Sequence, residues 1–115
     1  MATERQRMSS ADELQEKLQN LWKKALPLML RRLNSIERAH KAIVGGALND
    51  AMKAEAAQEA HKLAGSLGVF GLSGGSESAL EIERILSSTD RLSTNDVANL
   101  GEHLQRLGRD INSGT

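Results

Sequence analysis

The sequence of 115 residues lacks cysteine altogether and has only one proline and two aromatic residues, Trp22 and Phe70. Without cysteine there can be no disulfide framework and no thiolate metal site. Its 15 basic and 15 acidic residues balance, which argues against nucleic acid or an anionic membrane as the main partner. No apolar run approaches the roughly 20 residues that span a bilayer, and the first ten residues contain no apolar stretch, so we expect no signal peptide. We therefore expect a cytoplasmic protein.

Alanine and leucine dominate the apolar residues, so propensity and pattern both favour helix. We expect residues 1–10 to be a disordered lead-in to a single domain over residues 11–112. The periodic apolar residues predict helices near 11–25, 27–44, 49–70, 75–87 and 94–111. Short loops between them predict antiparallel neighbours. The expected fold is all-α, an up-and-down antiparallel four-helix bundle with an additional N-terminal helix.

Pro27 interrupts the first apolar stretch. Because its ring nitrogen cannot donate a backbone hydrogen bond, the residue marks either a kink or the first turn of a new helix. We interpret the stretch as two helices that meet at Pro27.

His61 lies at the edge of the apolar face of the third predicted helix. Successive residues of an α-helix are about 100° apart around its axis. His61 therefore lies about 100° from Ala60, the centre of an apolar arc. This arc consists of Ala56, Ala57, Ala60, Leu63, Ala64 and Leu67. Gly65 and Gly68 fall on either side of the His61 direction, although a glycine inside a helix costs about 1 kcal/mol relative to alanine. Either close approach of a partner to the imidazole or tight packing between helices explains them equally well.

Glu83 is an acidic residue at a position where an apolar one is expected. On the helical wheel of the next helix, Glu83 falls between Ala79 and Leu80, inside the apolar arc. Burial of a carboxylate without a partner has a large unfavourable free energy, so Glu83 should have one. Residues equidistant from the turn of an antiparallel hairpin lie at the same height, and the midpoint between His61 and Glu83 is in the connecting loop. We therefore expect Glu83 to accept a hydrogen bond from one ring nitrogen of His61.

Such a pair has a chemical use. An acceptor at Nδ1–H fixes the tautomer of the imidazole, leaves Nε2 as the nucleophile, and stabilises positive charge while a phosphoryl group is received. A purely structural hydrogen bond between His61 and Glu83 at the edge of the bundle fits the same spacing, so the two interpretations stay open on geometry alone.

The run from Ala60 to Leu72, AHKLAGSLGVFGL, resembles the signature of histidine-phosphotransfer (HPt) domains of bacterial phosphorelays. In that signature the histidine is followed by a leucine, a glycine, a small residue, a second glycine, often a phenylalanine, and a third glycine. The chain matches these positions, in order, at Leu63, Gly65, Ser66, Gly68, Phe70 and Gly71. The resemblance extends over about residues 28–110.

The resemblance implies that His61 is phosphorylated on Nε2, that Glu83 orients it, and that the phosphoryl group passes to or from a receiver-domain aspartate. The implied partners are response-regulator receiver domains and a hybrid histidine kinase. No cofactor of its own is expected, since the Mg²⁺ used in the exchange belongs to the receiver. The chain is expected to be a monomeric phosphocarrier without autokinase activity, because no ATP-binding region is present. The residues expected to contact the partner are Gln58, Gly65, Ser66 and Gly68.

The chain departs from the family at one position. Many members carry lysine three residues after the histidine, where this chain has Ala64. Lys62 is basic but projects about 100° further round the helix. We therefore predict only that Lys62 belongs to a charged rim that supports the phosphoryl group.

Three other functions fit parts of the sequence. The dimerisation domain of a histidine kinase resembles a different pattern, with an acidic residue after the histidine and a nearby proline, whereas Lys62 follows His61 here. Glu37 and His40 have the Glu-x-x-His spacing of a di-iron site in a helical bundle. Such a site needs a second pair with the same spacing, which this sequence lacks, so no bound metal is expected. The side chains of His40 and His103 are instead expected to be solvated. A non-catalytic helical-bundle adaptor that binds a signalling partner is the remaining alternative, although an adaptor needs no oriented histidine.

Overall fold

The computed structural model describes residues 10–114, and this part of the chain folds into four α-helices. They are α1 (Ser10–Val44), α2 (Asp50–Val69), α3 (Ser73–Ser87) and α4 (Thr94–Ser113). Helix α1 packs against α2 and α4, and α3 packs against the same two helices from the other side. This arrangement confirms the predicted all-α helical bundle. No helix within residues 10–114 is both long enough and apolar enough to cross a membrane.

The predicted disordered lead-in, residues 1–10, lies outside the described residues except for Ser10, which begins α1. The domain limits of 11–112 stay a prediction.

Helices α2 and α4 begin at capping residues that the local sequence supplies, whereas α3 begins at Ser73, two residues before its predicted start, without a side-chain cap. The side chain of Asn49 accepts a hydrogen bond from the backbone N–H of Met52 at 2.8 Å and so caps α2. Ser93 and Asp96 form a reciprocal capping box at the start of α4, with both hydrogen bonds at 3.0 Å. The backbone N–H of Ser93 lowers the pKa of the Asp96 carboxyl below its usual value. Helices α1 and α2 are followed by Gly46 and Gly71, both with the positive φ that favours glycine.

The core consists of apolar side chains from all four helices. All six residues of the apolar arc predicted for α2 are buried. Trp22 of α1 meets Phe70, just after α2, edge to face with ring centroids 5.0 Å apart, so the two aromatic residues pack together at one end of the bundle.

Helix α1 runs without a break through Pro27, so the prediction of two helices meeting there is wrong. Pro27 and Lys23 are exposed, and the Lys23 carbonyl, which loses its usual helical donor, therefore lies at the solvent side of the helix. Trp22 and Met29, one on each side of the proline, are buried in the core. Packing on both sides of Pro27 thus outweighs the cost of one missing hydrogen bond, and the predicted additional helix is the N-terminal part of α1.

We expect Pro27→Ala to raise the free energy of unfolding by about 1–3 kcal/mol, because alanine restores the backbone donor and has the highest helix propensity. Denaturant titration measures the change. Arg31→Ala, at another exposed position of α1, is the matched control and should change stability by less than about 0.5 kcal/mol. A lower stability of Pro27→Ala would show that the bundle needs a bend at this position.

Candidate functional site

His61 lies near the middle of α2, at the boundary between the core and solvent. Its helical neighbours Ala60 and Leu63 are fully buried, whereas 71% of the His61 side chain is exposed. The backbone beneath the imidazole is therefore held by core packing while the ring itself stands in water.

The Nδ1 atom of His61 lies 3.1 Å from Oε1 and 2.9 Å from Oε2 of Glu83. Because a carboxylate can only accept, Nδ1 carries the proton and donates it between the two oxygens. Nε2, on the other side of the ring, then keeps a free lone pair. The Glu83 side chain is 29% exposed, which agrees with the half-buried place inferred from the helical wheel. The contact expected between these two residues is present.

Two other hydrogen bonds hold α2 and α3 in register on either side of this pair. The Ser76 hydroxyl donates to the Ala64 carbonyl at 2.7 Å, and Lys53 Nζ donates to the Ser88 carbonyl at 2.6 Å. Residue numbers fall along α3 as they rise along α2, which makes the two helices antiparallel. The positions of His61 and Glu83 along the bundle axis are thus fixed by these two hydrogen bonds and not only by the contact between His61 and Glu83.

Gly65 and Gly68 are exposed and are not required by packing inside the chain. A Cβ added at Gly65 would meet no atom within 4 Å, and one added at Gly68 would make only an ordinary contact with Ser76 Oγ at 3.6 Å. Tight packing between helices, one of the two explanations considered for the glycines, therefore does not apply to Gly65. The face of α2 beside His61 is open to an approaching molecule.

The structure brings some of the predicted partner-contacting residues to His61 and leaves one aside. Gln58 and Lys62 line a shallow cavity of about 300 Å³ together with His61 and Glu83. Ser66 is half-buried and lies about 140° round the helix axis from His61. It therefore does not share the open face, and its predicted contact with a partner stays a prediction.

Lys62 is paired with a neighbour on its own helix. Its Nζ lies 3.5 Å from Oε1 of Glu59, and Oε2 of Glu59 lies 3.4 Å from Nε of Arg32 on α1. A pair of opposite charges three residues apart on a helix contributes only about 0.2–0.5 kcal/mol to the stability of the helix. The ammonium group of Lys62 is therefore held only loosely by Glu59.

The exposure of two apolar residues, one beside the site and one on another face, was not predicted. Val69 is 74% exposed. It follows His61 by eight residues, which places it about 80° from the histidine around the helix axis. This spacing can be read in the sequence and could have identified Val69 as a neighbour of the site. Leu80 was expected in the core, but it is 49% exposed. It lines the open groove between α3 and α4, because α4 covers the neighbouring face of α3, where Ala79 and Ile82 are buried.

The other two histidines are half-buried, so the expectation that they are solvated is wrong. His40 Nε2 lies 3.3 Å from the position of a Cβ on Gly101, which shows that the ring packs on α4. The Nδ1 atom of His103 is buried without a hydrogen-bond partner. Within residues 10–114, no group of three His, Asp or Glu side chains is placed to hold a metal ion.

Comparison with known proteins gives one match. The family model described as "Hpt domain" matches residues 5–112 of this chain, which include His61 and Glu83. No curated protein and no solved structure matches the chain.

Proposed function

Because the chain belongs to the Hpt domain family, we propose that it relays a phosphoryl group between receiver-domain aspartates through phospho-His61. Family membership supports the general role, histidine phosphotransfer in a phosphorelay. The observation that carries the choice of residue is the pair of His61 and Glu83, in which an exposed imidazole is held through Nδ1 by a carboxylate.

The transfer is a displacement at phosphorus. The Nε2 lone pair of His61 attacks the phosphorus of the receiver's phosphoaspartate, an N–P bond forms, and the P–O bond of the acyl phosphate breaks. The bonding electron pair leaves with the aspartate carboxylate. Nδ1 keeps its proton throughout, so the ring gains positive charge, and the Glu83 carboxylate beside Nδ1 stabilises that charge. Transfer in the other direction follows the same path.

The open face of α2 is the proposed docking surface for the receiver. Gly65 and Gly68 leave the backbone uncovered beside His61, and Val69 offers an exposed apolar side chain on the same side. Gln58 supplies a neutral polar group in the cavity next to the histidine. Apolar contacts surrounded by polar groups are the usual composition of a protein interface.

The charges needed for the reaction come from both proteins. In this proposal the receiver contributes the Mg²⁺ ion and the aspartate, and this chain binds no cofactor. Lys62 leaves its weak pair with Glu59 and contributes positive charge near the phosphoryl group. A hybrid histidine kinase upstream and a cytoplasmic location belong to the same proposal.

Transfer profiling tests the proposal. The protein is incubated with a panel of phosphorylated receiver domains, and the phosphoryl label is followed from one chain to the other. We expect at least one receiver to label the protein, with a linkage that is lost in acid and retained in base, as is typical of a phosphorus–nitrogen bond. An acid-stable label would contradict a phosphohistidine intermediate.

We expect Glu83→Ala to slow phosphoryl transfer about 10- to 100-fold, because a hydrogen bond to a charged group contributes about 1.5–3 kcal/mol. The fold should be retained, since the Glu83 side chain is partly exposed. Rapid-quench measurement of label transfer gives the rate, and chase experiments give the lifetime of the phosphohistidine.

Glu81→Ala is the matched control, because Glu81 lies on the same helix and pairs with Arg84 at 3.0 Å rather than with His61. Its transfer rate should equal that of the wild type. If Glu83→Ala also leaves both rate and lifetime unchanged, Glu83 is a structural residue only.

A further inference from the structure

Positive charge is concentrated on the outer face of helix α1. Between residues 17 and 41 the chain has seven basic residues and a single acidic one, Glu37. Six of the seven basic side chains are exposed, and the seventh, Arg32, pairs with Glu59 of α2. The other acidic residues of α1 all lie in its first two turns. The zero net charge of the sequence therefore conceals a separation of charge between the helices.

Four of the exposed cations form a line along α1, the basic ridge. Its members are Lys17, Lys24, Arg31 and Arg38, each seven residues from the next. Seven residues are almost two turns of an α-helix, so each member lies only about 20° round the axis from the one before. At 1.5 Å per residue the basic ridge is about 32 Å long. Every member lies at least about 140° round the axis from the buried Trp22, so the line points away from the core.

The protein does not neutralise the basic ridge with its own carboxylates. Within residues 10–114, none of its four members forms an ion pair. Glu55 of α2 lines a shallow cavity of about 70 Å³ together with Arg38 but does not pair with it. Because like charges repel each other, an anionic surface that covered this face would be attracted to it.

The basic ridge and the His61 site lie on different sides of the bundle. Helix α1 packs on α2 and α4 but makes no contact with α3, so α1 and α3 are diagonally opposite. The pair of His61 and Glu83 joins α2 to α3, whereas the basic ridge lies on the side of α1 that is turned away from the other helices. A partner on the ridge would therefore leave the imidazole accessible.

The surroundings of the basic ridge favour a lipid surface over nucleic acid. Leu21 and Leu28 lie along one side of it and Leu30 on the other, and these leucines are 53%, 38% and 39% exposed. At a bilayer, such leucines enter the boundary between headgroups and acyl chains while lysine and arginine bind lipid phosphates. A nucleic-acid backbone offers leucine no comparable contact. Moreover, α2 and α4 flank α1, and the three helices together are too wide for a major groove of about 12 Å.

We propose that α1 binds the surface of an anionic bilayer through the basic ridge. The axis of α1 lies parallel to the membrane, and the His61 site faces away from it. Lys23 and Lys41, which are also exposed on α1, bring the number of available cations to six. Clusters of about four to eight basic residues are typical of segments that bind anionic lipids. The attachment is peripheral and reversible, because no part of the chain is inserted deeply.

Cosedimentation of the full chain with lipid vesicles tests this proposal. At about 0.1 M salt we expect binding to phosphatidylcholine vesicles that contain about 30% phosphatidylglycerol, and no binding to pure phosphatidylcholine. At about 1 M salt the Debye length falls from about 10 Å to about 3 Å, and the protein should be released. Absence of binding to the anionic vesicles overturns the proposal, as does equal binding to the neutral ones.

The triple variant Lys24→Gln, Arg31→Gln, Arg38→Gln should bind the anionic vesicles about 100-fold more weakly, because each cation lost near the surface lowers the affinity about fivefold. All three side chains are exposed, so the thermal melt followed by circular dichroism should be unchanged. Binding of the folded variant at the wild-type level would show that the basic ridge is not the contact surface.

The matched control removes three positive charges elsewhere, with Arg84→Gln, Arg91→Gln and Arg106→Gln. These residues are also exposed but lie outside α1. The control should bind the vesicles like the wild type. An equal loss of binding in both triple variants would mean that net charge, rather than the basic ridge, governs the interaction, and the proposal would be wrong.

A labelled DNA duplex, followed by fluorescence anisotropy in the same buffer, separates lipid from nucleic acid. At equal phosphate concentration we expect the duplex to bind at least about tenfold more weakly than the anionic vesicles. A duplex that binds more tightly than the vesicles and is lost in the triple variant of the basic ridge would make nucleic acid the partner and overturn the lipid assignment.

A single fluorescent label tests the orientation, since the chain has no cysteine of its own. An environment-sensitive dye is attached at Asn34→Cys, one turn from Arg31, or at Glu77→Cys on α3. Both positions are exposed. Anionic vesicles should shift the emission of the dye at residue 34 and leave the dye at residue 77 unchanged. A shift at residue 77 alone would place α3 on the membrane and contradict the proposed orientation.

Discussion

His61→Gln is expected to abolish acceptance of a phosphoryl group from a phosphorylated receiver. The nitrogen of a glutamine amide has no free lone pair that can attack phosphorus, whereas Nε2 of His61 has one once Nδ1–H is donated to Glu83. The substitution should leave the fold intact, because 71% of the His61 side chain is exposed. Label transfer is measured together with a thermal melt followed by circular dichroism.

His40→Gln is the matched control, since it makes the same change at a histidine on α1 that packs on α4. It should accept the phosphoryl group at the wild-type rate. Undiminished labelling of folded His61→Gln would refute the assignment of His61. Absence of labelling in the wild type, with a receiver that nevertheless binds, would instead support the non-catalytic adaptor.

Gly65→Leu is expected to lower the transfer rate at least about 100-fold, equivalent to about 2.7 kcal/mol of transition-state stabilisation, while it makes the protein more stable. Inside the chain the new Cβ meets no atom within 4 Å, and the rest of the side chain can extend into solvent because Gly65 is exposed. Leucine is a better helix former than glycine by up to about 1 kcal/mol. Outside the chain the leucine projects one turn from His61, into the space that the receiver must occupy.

Denaturant titration and label transfer measure the two opposite effects. Gly65→Ala should give the same gain in stability with a smaller loss of rate. Glu102→Leu places a leucine at an exposed position of α4 and should leave transfer unchanged. Normal transfer by Gly65→Leu would show that the receiver does not approach along this face of α2, and the glycines would then need another explanation.

The sequence by itself determined the features that depend on local periodicity and on short connections. The caps at Asn49 and Ser93 and the apolar arc of α2 follow from patterns within a few turns of helix. The facing of His61 and Glu83 was also predictable, because the short turn between α2 and α3 allows one antiparallel register. The resemblance to HPt domains depended on the same stretch of chain.

The tertiary structure decided which faces are covered. The wheel of α3 placed Leu80 in the core, but α4 leaves it exposed, and the reverse holds for His40, which packs on α4. Gly65 could be needed either for tight packing between helices or for access of a partner to His61. The distance between α3 and the backbone of Gly65 decides between these roles, and this distance cannot be read from the local sequence. Pro27 lies within an unbroken helix because residues on both sides of it are buried by other helices.

An apolar stripe in the first turns of α1, formed by Leu14, Leu18 and Leu21, shows the difference most clearly. Its period can be read in the sequence, and the period alone predicts a helix packed on an apolar core. Its exposure follows from the lengths of the other helices, since α2 and α4 are too short to reach the first three turns of α1. Burial is a property of the space between helices, so a single helix can specify the face that needs cover but not the molecule that covers it.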